Sequence, residues 1–321
     1  MIDSRPKILN LDPQGYCEQA KAILCEVAEV FEQKMSADEL RSCIHLYDVV
    51  MVRFSVQVDS DLIGRASRLR AIVTNATGVD HIDIETAARR NIQVISLKGE
   101  TQFLETISAT AELTWGLISC IARKMPAAFT HVCGGGWDRE RFIGSELSGK
   151  KLGVLGLGRL GRKVVKYGLA FDMEVGGYDT DPARYLSTIK MFSDPQTLFG
   201  WADILTIHIP LNDNTHNFLD RNLLTEMKYG AWLINTSRGQ LLDESALLDL
   251  LESGHIGAAA LDVLADELRF EDLKQHPLIK YASQNQNLLI TPHIGGATRD
   301  SWEKTEIFIA KKLSSYLSQQ T

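Results

Sequence analysis

Cysteine is scarce and unpaired in this chain. Five occur in 321 residues, Cys17, Cys25, Cys43, Cys120 and Cys133, an odd number with no CxxC spacing. That pattern excludes a disulfide scaffold and a thiolate zinc site, and it suits a reducing compartment. An excess of positive charge is missing too. Lys plus Arg number 34 against 41 Asp plus Glu, for a formal charge of -7, whereas a nucleic-acid face needs clustered cations, so no nucleic-acid partner is expected. Long apolar runs are absent: the longest uncharged one, near residues 113–122, is about half of what a bilayer crossing needs, so no membrane association is expected. The opening Met-Ile-Asp-Ser-Arg-Pro has no basic start leading into an apolar stretch, which makes a cytoplasmic location the expectation. His45, His81, His131, His216, His255 and His276 form no metal-ligand spacing, and no metal is expected.

What is present is an ordinary globular balance, 45% apolar and 23% charged, in a length that suggests two domains. The first hundred residues alternate short apolar runs with helical stretches. Runs at 7–11, 28–31, 49–52, 71–74 and 92–95 read as strands, and residues 83–90 read as a helix with Asp83 near its start. Continuous apolar strands separated by helices imply a parallel sheet covered on both faces. A helical pattern over 107–123 follows, read as the crossing into a second unit, and then a glycine-rich turn at 133–138. The alternation restarts with six strands at 151–155, 174–178, 204–209, 231–235, 258–263 and 287–290, which fits a doubly wound dinucleotide fold. A final amphipathic helix is expected over 299–317.

The sharpest local signal is Gly156-Leu-Gly158-Arg159-Leu160-Gly161, placed between the strand at 151–155 and a following helix. Gly156 suits a tight turn, Gly158 allows close approach of a pyrophosphate, and Gly161 allows the helix to pack on the strand. The free N–H groups of the helix start then face the phosphates. A second strand ends at Asp179, eighteen residues past Gly161. A carboxylate there accepts from a ribose 2′-hydroxyl and repels a 2′-phosphate, which favours NAD(H) over its phosphorylated form.

With these strings in place, the sequence resembles the D-isomer-specific 2-hydroxyacid dehydrogenase family over roughly residues 48–298. The likeness rests on 146–161, Asp203-Ile-Leu-Thr-Ile-His-Ile-Pro-Leu211, Asn235-Thr-Ser-Arg-Gly239, Gly257-Ala-Ala-Ala-Leu-Asp-Val263 and Thr291-Pro-His-Ile-Gly-Gly296. The resemblance implies an α/β architecture of two Rossmann-like domains. A doubly wound NAD-binding domain, residues 105–295, is inserted in a smaller flavodoxin-like substrate domain formed by 1–104 and 296–321. It also implies NAD(H) as cofactor, a homodimer built through the NAD-binding domain, and interconversion of a D-2-hydroxy acid with its 2-oxo acid.

Residue by residue, the resemblance places the catalytic roles on Arg238, Glu267 and His293. His293 would act as general acid and base, Glu267 would orient its ring, and the planar donor fork of Arg238 would grip the substrate carboxylate. Asp266, adjacent to Glu267, stays open as an alternative, because Leu268 stands where the family commonly has proline. Cofactor contacts are expected from Gly156, Gly158, Arg159, Leu160, Gly161, Asp179, His208, Pro210, Thr215, Thr236, Ser237 and Asp262. Substrate contacts are expected from the turn Thr77, Gly78 and Val79 and from Arg238. Arg53 and Lys98 are the cations placed to meet a second anion such as a phosphate. Phosphoglycerate, glycerate or hydroxypyruvate, and glyoxylate stay open as substrates. A nucleotide sensor or corepressor-like protein on the same fold, with little turnover, is the alternative function.

Overall fold

A computed structural model describes residues 5–270 and 272–319. The chain divides into two compact units, Met1–Ile107 with Ala297–Thr321, and Ser108–Gly296.

In the first unit, β1 (Lys7–Asn10), β2 (Glu29–Glu32), β3 (Val49–Met51), β4 (Ala71–Val73) and β5 (Gln93–Ile95) form one parallel sheet in the order β2-β1-β3-β4-β5. This is the flavodoxin-like order, and its direction reverses between β1 and β3. Neighbouring residues of a strand enter opposite cores: Leu9, Val50 and Ile72 join one, and Ile8, Val49, Met51, Ala71 and Val73 the other. Burial on both faces explains why these strands read as unbroken apolar runs rather than as alternating patterns. The second core is closed by Ile309, Ala310, Leu313 and Leu317 of the last helix, Arg299–Ser318, so the end of the chain returns to the first unit. Asp83 caps the helix Ile84–Arg89 by accepting from the Thr86 N–H.

The second unit holds β6 (Lys151–Leu155), β7 (Glu174–Tyr178), β8 (Lys190–Met191), β9 (Ile204–Ile207), β10 (Ala231–Asn235), β11 (Ile256–Leu261) and β12 (Leu288–Ile290). All pair in parallel, in the order β12-β11-β10-β9-β6-β7-β8, with the reversal between β6 and β9. Two differences from the sequence reading have simple causes. The seventh strand, β8, is a two-residue edge strand, too short to leave a hydrophobic period. The helix at 107–123 does not cross between units: Ala109–Arg123 belongs wholly to the second, packing Ala111, Leu117, Ile118 and Ala122 into the core beneath β6. No helix among the described residues is long and apolar enough to cross a membrane, and none of their His, Cys, Asp and Glu side chains cluster as a metal site.

Candidate active site

The glycine turn sits at the reversal of the second sheet, where open α/β sheets take ligands. The helix Arg159–Ala170 starts immediately after it, with Gly158 as its cap. A Cβ on Gly161 would lie 1.9 Å from the Gly156 carbonyl oxygen, so the helix rests directly on the turn and no side chain fits between them. The Gly156 N–H donates to Tyr178 O at 2.9 Å and ties the turn to β7. Asp179, one residue past β7, is buried: Oδ2 accepts the Leu157 N–H at 2.7 Å, and Oδ1 accepts the Asp181 N–H at 2.9 Å. Arg184, which the sequence reading passed over, sets Nη1 3.5 Å from the same Oδ2.

The other expected cofactor positions line the ends of neighbouring strands. His208 follows β9, and its backbone N–H donates to Leu155 O at 2.7 Å. Both ring nitrogens are buried without a hydrogen-bond partner, and burial pushes the ring down to about 4, so it is neutral at pH 7. Thr215 closes the 210–215 loop by donating to Pro210 O at 2.7 Å. The Thr236 hydroxyl lies 2.8 Å from that of Thr114, a partner the sequence did not suggest, and Ser237 donates to Ile207 O at 2.7 Å. The glycine cradle, the helix start and the carboxylate at the end of β7 together fit the pyrophosphate and ribose of NAD.

Arg238, Asp262 and His293 stand past the carboxyl ends of three adjacent strands. The register aligns Asn235 with Leu261 and Leu261 with Ile290. Arg238 lies three residues beyond β10, Asp262 directly after β11, and His293 three residues beyond β12, on strands spaced about 4.8 Å apart. Asp262 organises this end of the sheet. Its Oδ1 accepts the Thr291 hydroxyl at 2.6 Å and the Ile294 N–H at 2.9 Å, and its Oδ2 accepts the Gly295 N–H at 2.7 Å. Its carbonyl accepts the His293 N–H at 2.8 Å. Burial pushes the Asp262 carboxyl up, and these donors pull it back. They hold His293 at φ +52°, a left-handed conformation that a β-carbon makes costly and that clusters at functional sites.

The carboxylate that meets His293 Nδ1 is that of Glu267. Glu267 is half-buried, whereas the adjacent Asp266 is exposed. Committing Nδ1 to Glu267 fixes the ring tautomer. Glu244 braces the same loop. It accepts the Ala265 N–H at 2.7 Å and lies 3.2 Å from His276 Nε2. Burial first, and the Asp266 and Glu267 charges after it, raise its carboxyl from 4.5 to about 7. Folding therefore takes up a proton at Glu244, and its contribution to stability, full below pH 4.5, is lost as pH rises through 7. Glu244→Gln keeps an acceptor for Ala265. Its stability relative to the wild type, from urea melts, should rise by roughly 2 kcal/mol between pH 5 and pH 8. A difference independent of pH would count against this account.

In the first unit, Thr77, Gly78 and Val79 follow β4 in a loop tied down by the Ile82 N–H to Val79 O bond at 3.0 Å. Lys98 is exposed on the loop after β5. Arg53 is committed elsewhere: Nη2 lies 2.5 Å from Oε1 of the buried Glu306, and its guanidinium stacks 4.1 Å above the Trp302 ring. Neither partner was legible in the sequence, because both come from the last helix.

Fold, turn and strand-end residues together define a dinucleotide-binding protein with an imidazole–carboxylate pair beside an arginine. Residues 115–295 match the family described as D-isomer specific 2-hydroxyacid dehydrogenase, NAD binding domain. The chain belongs to this family. It is 32% identical to the hydroxypyruvate reductase of Thermotoga maritima over 289 residues, 90% of each chain. It is 36% identical to the D-3-phosphoglycerate dehydrogenase of Methanocaldococcus jannaschii over 315 residues, 97% of this chain but 57% of that one. The chain thus spans about half the length of the phosphoglycerate dehydrogenases it matches. The crystal structure of the TT0316 protein from Thermus thermophilus superposes with a TM-score of 0.84 at 31% identity, covering 98% of this chain and 97% of that one.

Proposed function

We propose that the protein is an NAD-dependent oxidoreductase interconverting a D-2-hydroxy acid and its 2-oxo acid. The observation that carries this reading is the Glu267–His293 pair, set at the ends of β11 and β12 with Arg238 at the end of β10. Reduction of a 2-oxo acid puts hydride on the carbonyl carbon and a proton on its oxygen. NAD(H), held by the glycine turn at 156–161 and by Asp179, would supply or accept the hydride. His293 Nε2–H gives the proton to the developing alkoxide, Glu267 stabilises the ring as the proton moves, and Arg238 holds the substrate carboxylate through its paired donors. In oxidation, His293 takes the hydroxyl proton back. In the first unit, the loop at 77–79 offers backbone N–H groups of the kind that suit a carboxylate. Hydroxypyruvate or glycerate, glyoxylate and phosphoglycerate form the substrate class.

The test is NADH oxidation on a panel of 2-oxo acids with His293→Ala in parallel. Turnover on one or more acids, lost in the variant, supports the reading. NADH binding with no turnover on any acid would favour the sensor function instead.

The assembly we propose is a homodimer through the second unit. The helix Met125–Cys133 and the segment after it expose Phe129 at 72%, Trp137 at 90% and Ile143 at 72%, more large apolar surface than a monomer usually leaves in water. Sedimentation velocity should give twice the 35.7 kDa chain mass, and Trp137→Glu should shift the balance towards monomer. A monomeric wild type would overturn this. Five unpaired cysteines support a reducing compartment such as the cytoplasm.

A further inference from the structure

A lone carboxylate at position 179 would accept a ribose 2′-hydroxyl and turn away a 2′-phosphate. In the fold Asp179 is not alone. It is buried just past β7, and its Oδ2 accepts the Leu157 N–H at 2.7 Å. The guanidinium of Arg184 faces the same oxygen, with Nη1 at 3.5 Å. That Nη1 also lies 3.8 Å from the point where a Cβ on Gly158 would stand. One cation is thus set between the carboxylate after β7 and the second glycine of the turn, both of them parts of the dinucleotide site.

The backbone of Arg184 is pinned from two sides. Asp181 caps the short turn Pro182–Arg184 by accepting the Ala183 N–H at 3.0 Å, and the Arg184 N–H donates to Asp181 O at 3.0 Å. Arg162, on the helix Arg159–Ala170, donates from Nη2 to Arg184 O at 3.1 Å and from Nε to Leu157 O at 3.0 Å. It staples the 182–184 turn to the glycine turn, so the Arg184 side chain starts from a fixed point. The local charge differs from that of an isolated aspartate. Asp181 Oδ2 lies 3.5 Å from Arg184 Nε, and the two arginines balance the two aspartates. The helix adds no acid, since it opens on Arg159 and has none in its first turn, and its N–H groups favour a further anion. Both carboxylates stand 3.5 Å from the half-exposed guanidinium, longer than an ordinary hydrogen bond, so they orient it without consuming its donors.

We propose that Arg184 sets the phosphate preference of the dinucleotide site: by offsetting Asp179 and offering a planar fork of donors to a 2′-phosphate, it lets the site take NADP(H) as well as NAD(H). The proposal rests on the reading of residues 156–161 and Asp179 as the dinucleotide site, and it widens the cofactor class of that site.

Fluorescence titration with NADH and with NADPH tests it, because both nucleotides report binding without turnover and differ only in the 2′-phosphate. The wild-type Kd for NADPH should lie within about tenfold of that for NADH. Arg184→Ala removes an exposed side chain and leaves the backbone bonds of its turn in place, so the melting temperature should be nearly unchanged. It should weaken NADPH at least about tenfold more than NADH, the loss of a charge-assisted contact made by only one of the two. Arg184→Glu reverses the charge at the same place and should widen that gap again. A wild-type Kd for NADPH more than about tenfold above that for NADH overturns the proposal: Asp179 then decides alone, and the dinucleotide reading stands. So does an NADPH-to-NADH ratio that fails to rise from wild type through Arg184→Ala to Arg184→Glu. Binding of neither nucleotide to the wild type overturns both.

Discussion

Replacing His293 with alanine should lower kcat for 2-oxo acid reduction by about 10²–10⁴-fold, the usual worth of a positioned general acid. The reasoning is geometric before it is electrostatic. His293 is held at φ +52° by its N–H to Asp262 O, with the neighbouring Ile294 and Gly295 N–H groups bonded to the same aspartate's carboxylate. Its Nδ1 is taken by Glu267. A left-handed histidine braced from three sides is a costly way to place a ring, and that cost is best explained by what Nε2 does. Alanine at 293 would keep the strained backbone and lose only the ring, so NADH affinity, read by nucleotide fluorescence, should change by no more than about threefold while turnover collapses. Glu267→Gln keeps a hydrogen-bonding group of the same shape but removes its charge, and should lower kcat on the order of 10²-fold. If His293→Ala retains a tenth or more of wild-type kcat, the proton comes from elsewhere and the assignment fails.

The second large effect is expected from Gly239→Ala. A Cβ at 239 would lie 2.0 Å from the Leu264 carbonyl carbon and 2.2 Å from the Ala265 nitrogen, so one backbone segment must move. Overpacking against backbone costs about 3 kcal/mol or more, which for a unit of this size is a fall of roughly 10 °C in melting temperature. The displaced segment leads to Glu267, and the residue before Gly239 is Arg238. Catalysis should therefore fall with stability, and kcat measured well below the melting point should drop at least about tenfold. Gly116→Ala is the control. Nothing lies within 4 Å of its Cβ position in the helix Ala109–Arg123, and alanine there should be neutral or slightly stabilising. A Gly239→Ala protein with wild-type melting and kcat would show that the Arg238 and Glu267 loops are not packed as described.

The sequence determined a good deal unaided. The central parallel strands of both sheets were readable because they are buried on both faces, which makes each a short unbroken apolar run. The glycine turn was readable because backbone packing at Gly161 admits no side chain, so its chemistry is written in the residue type itself. The motif strings named the family and put Arg238 and His293 at strand ends.

Tertiary structure decided the rest, wherever the outcome depended on which distant side chain arrives. The choice between Glu267 and Asp266 turned on the local backbone: Asp266 at φ +54° turns the chain and stays exposed, and Glu267 then reaches the histidine. Arg53 read as an available cation until the last helix brought Glu306 and Trp302 onto it from about 250 residues away. Arg184 carried no signal at all, since the balancing of one charge by another is a property of surroundings and not of a residue type. Local packing rules write the scaffold into the sequence one residue at a time. Charge balance and polar satisfaction are sums over neighbours, and only the fold says who the neighbours are.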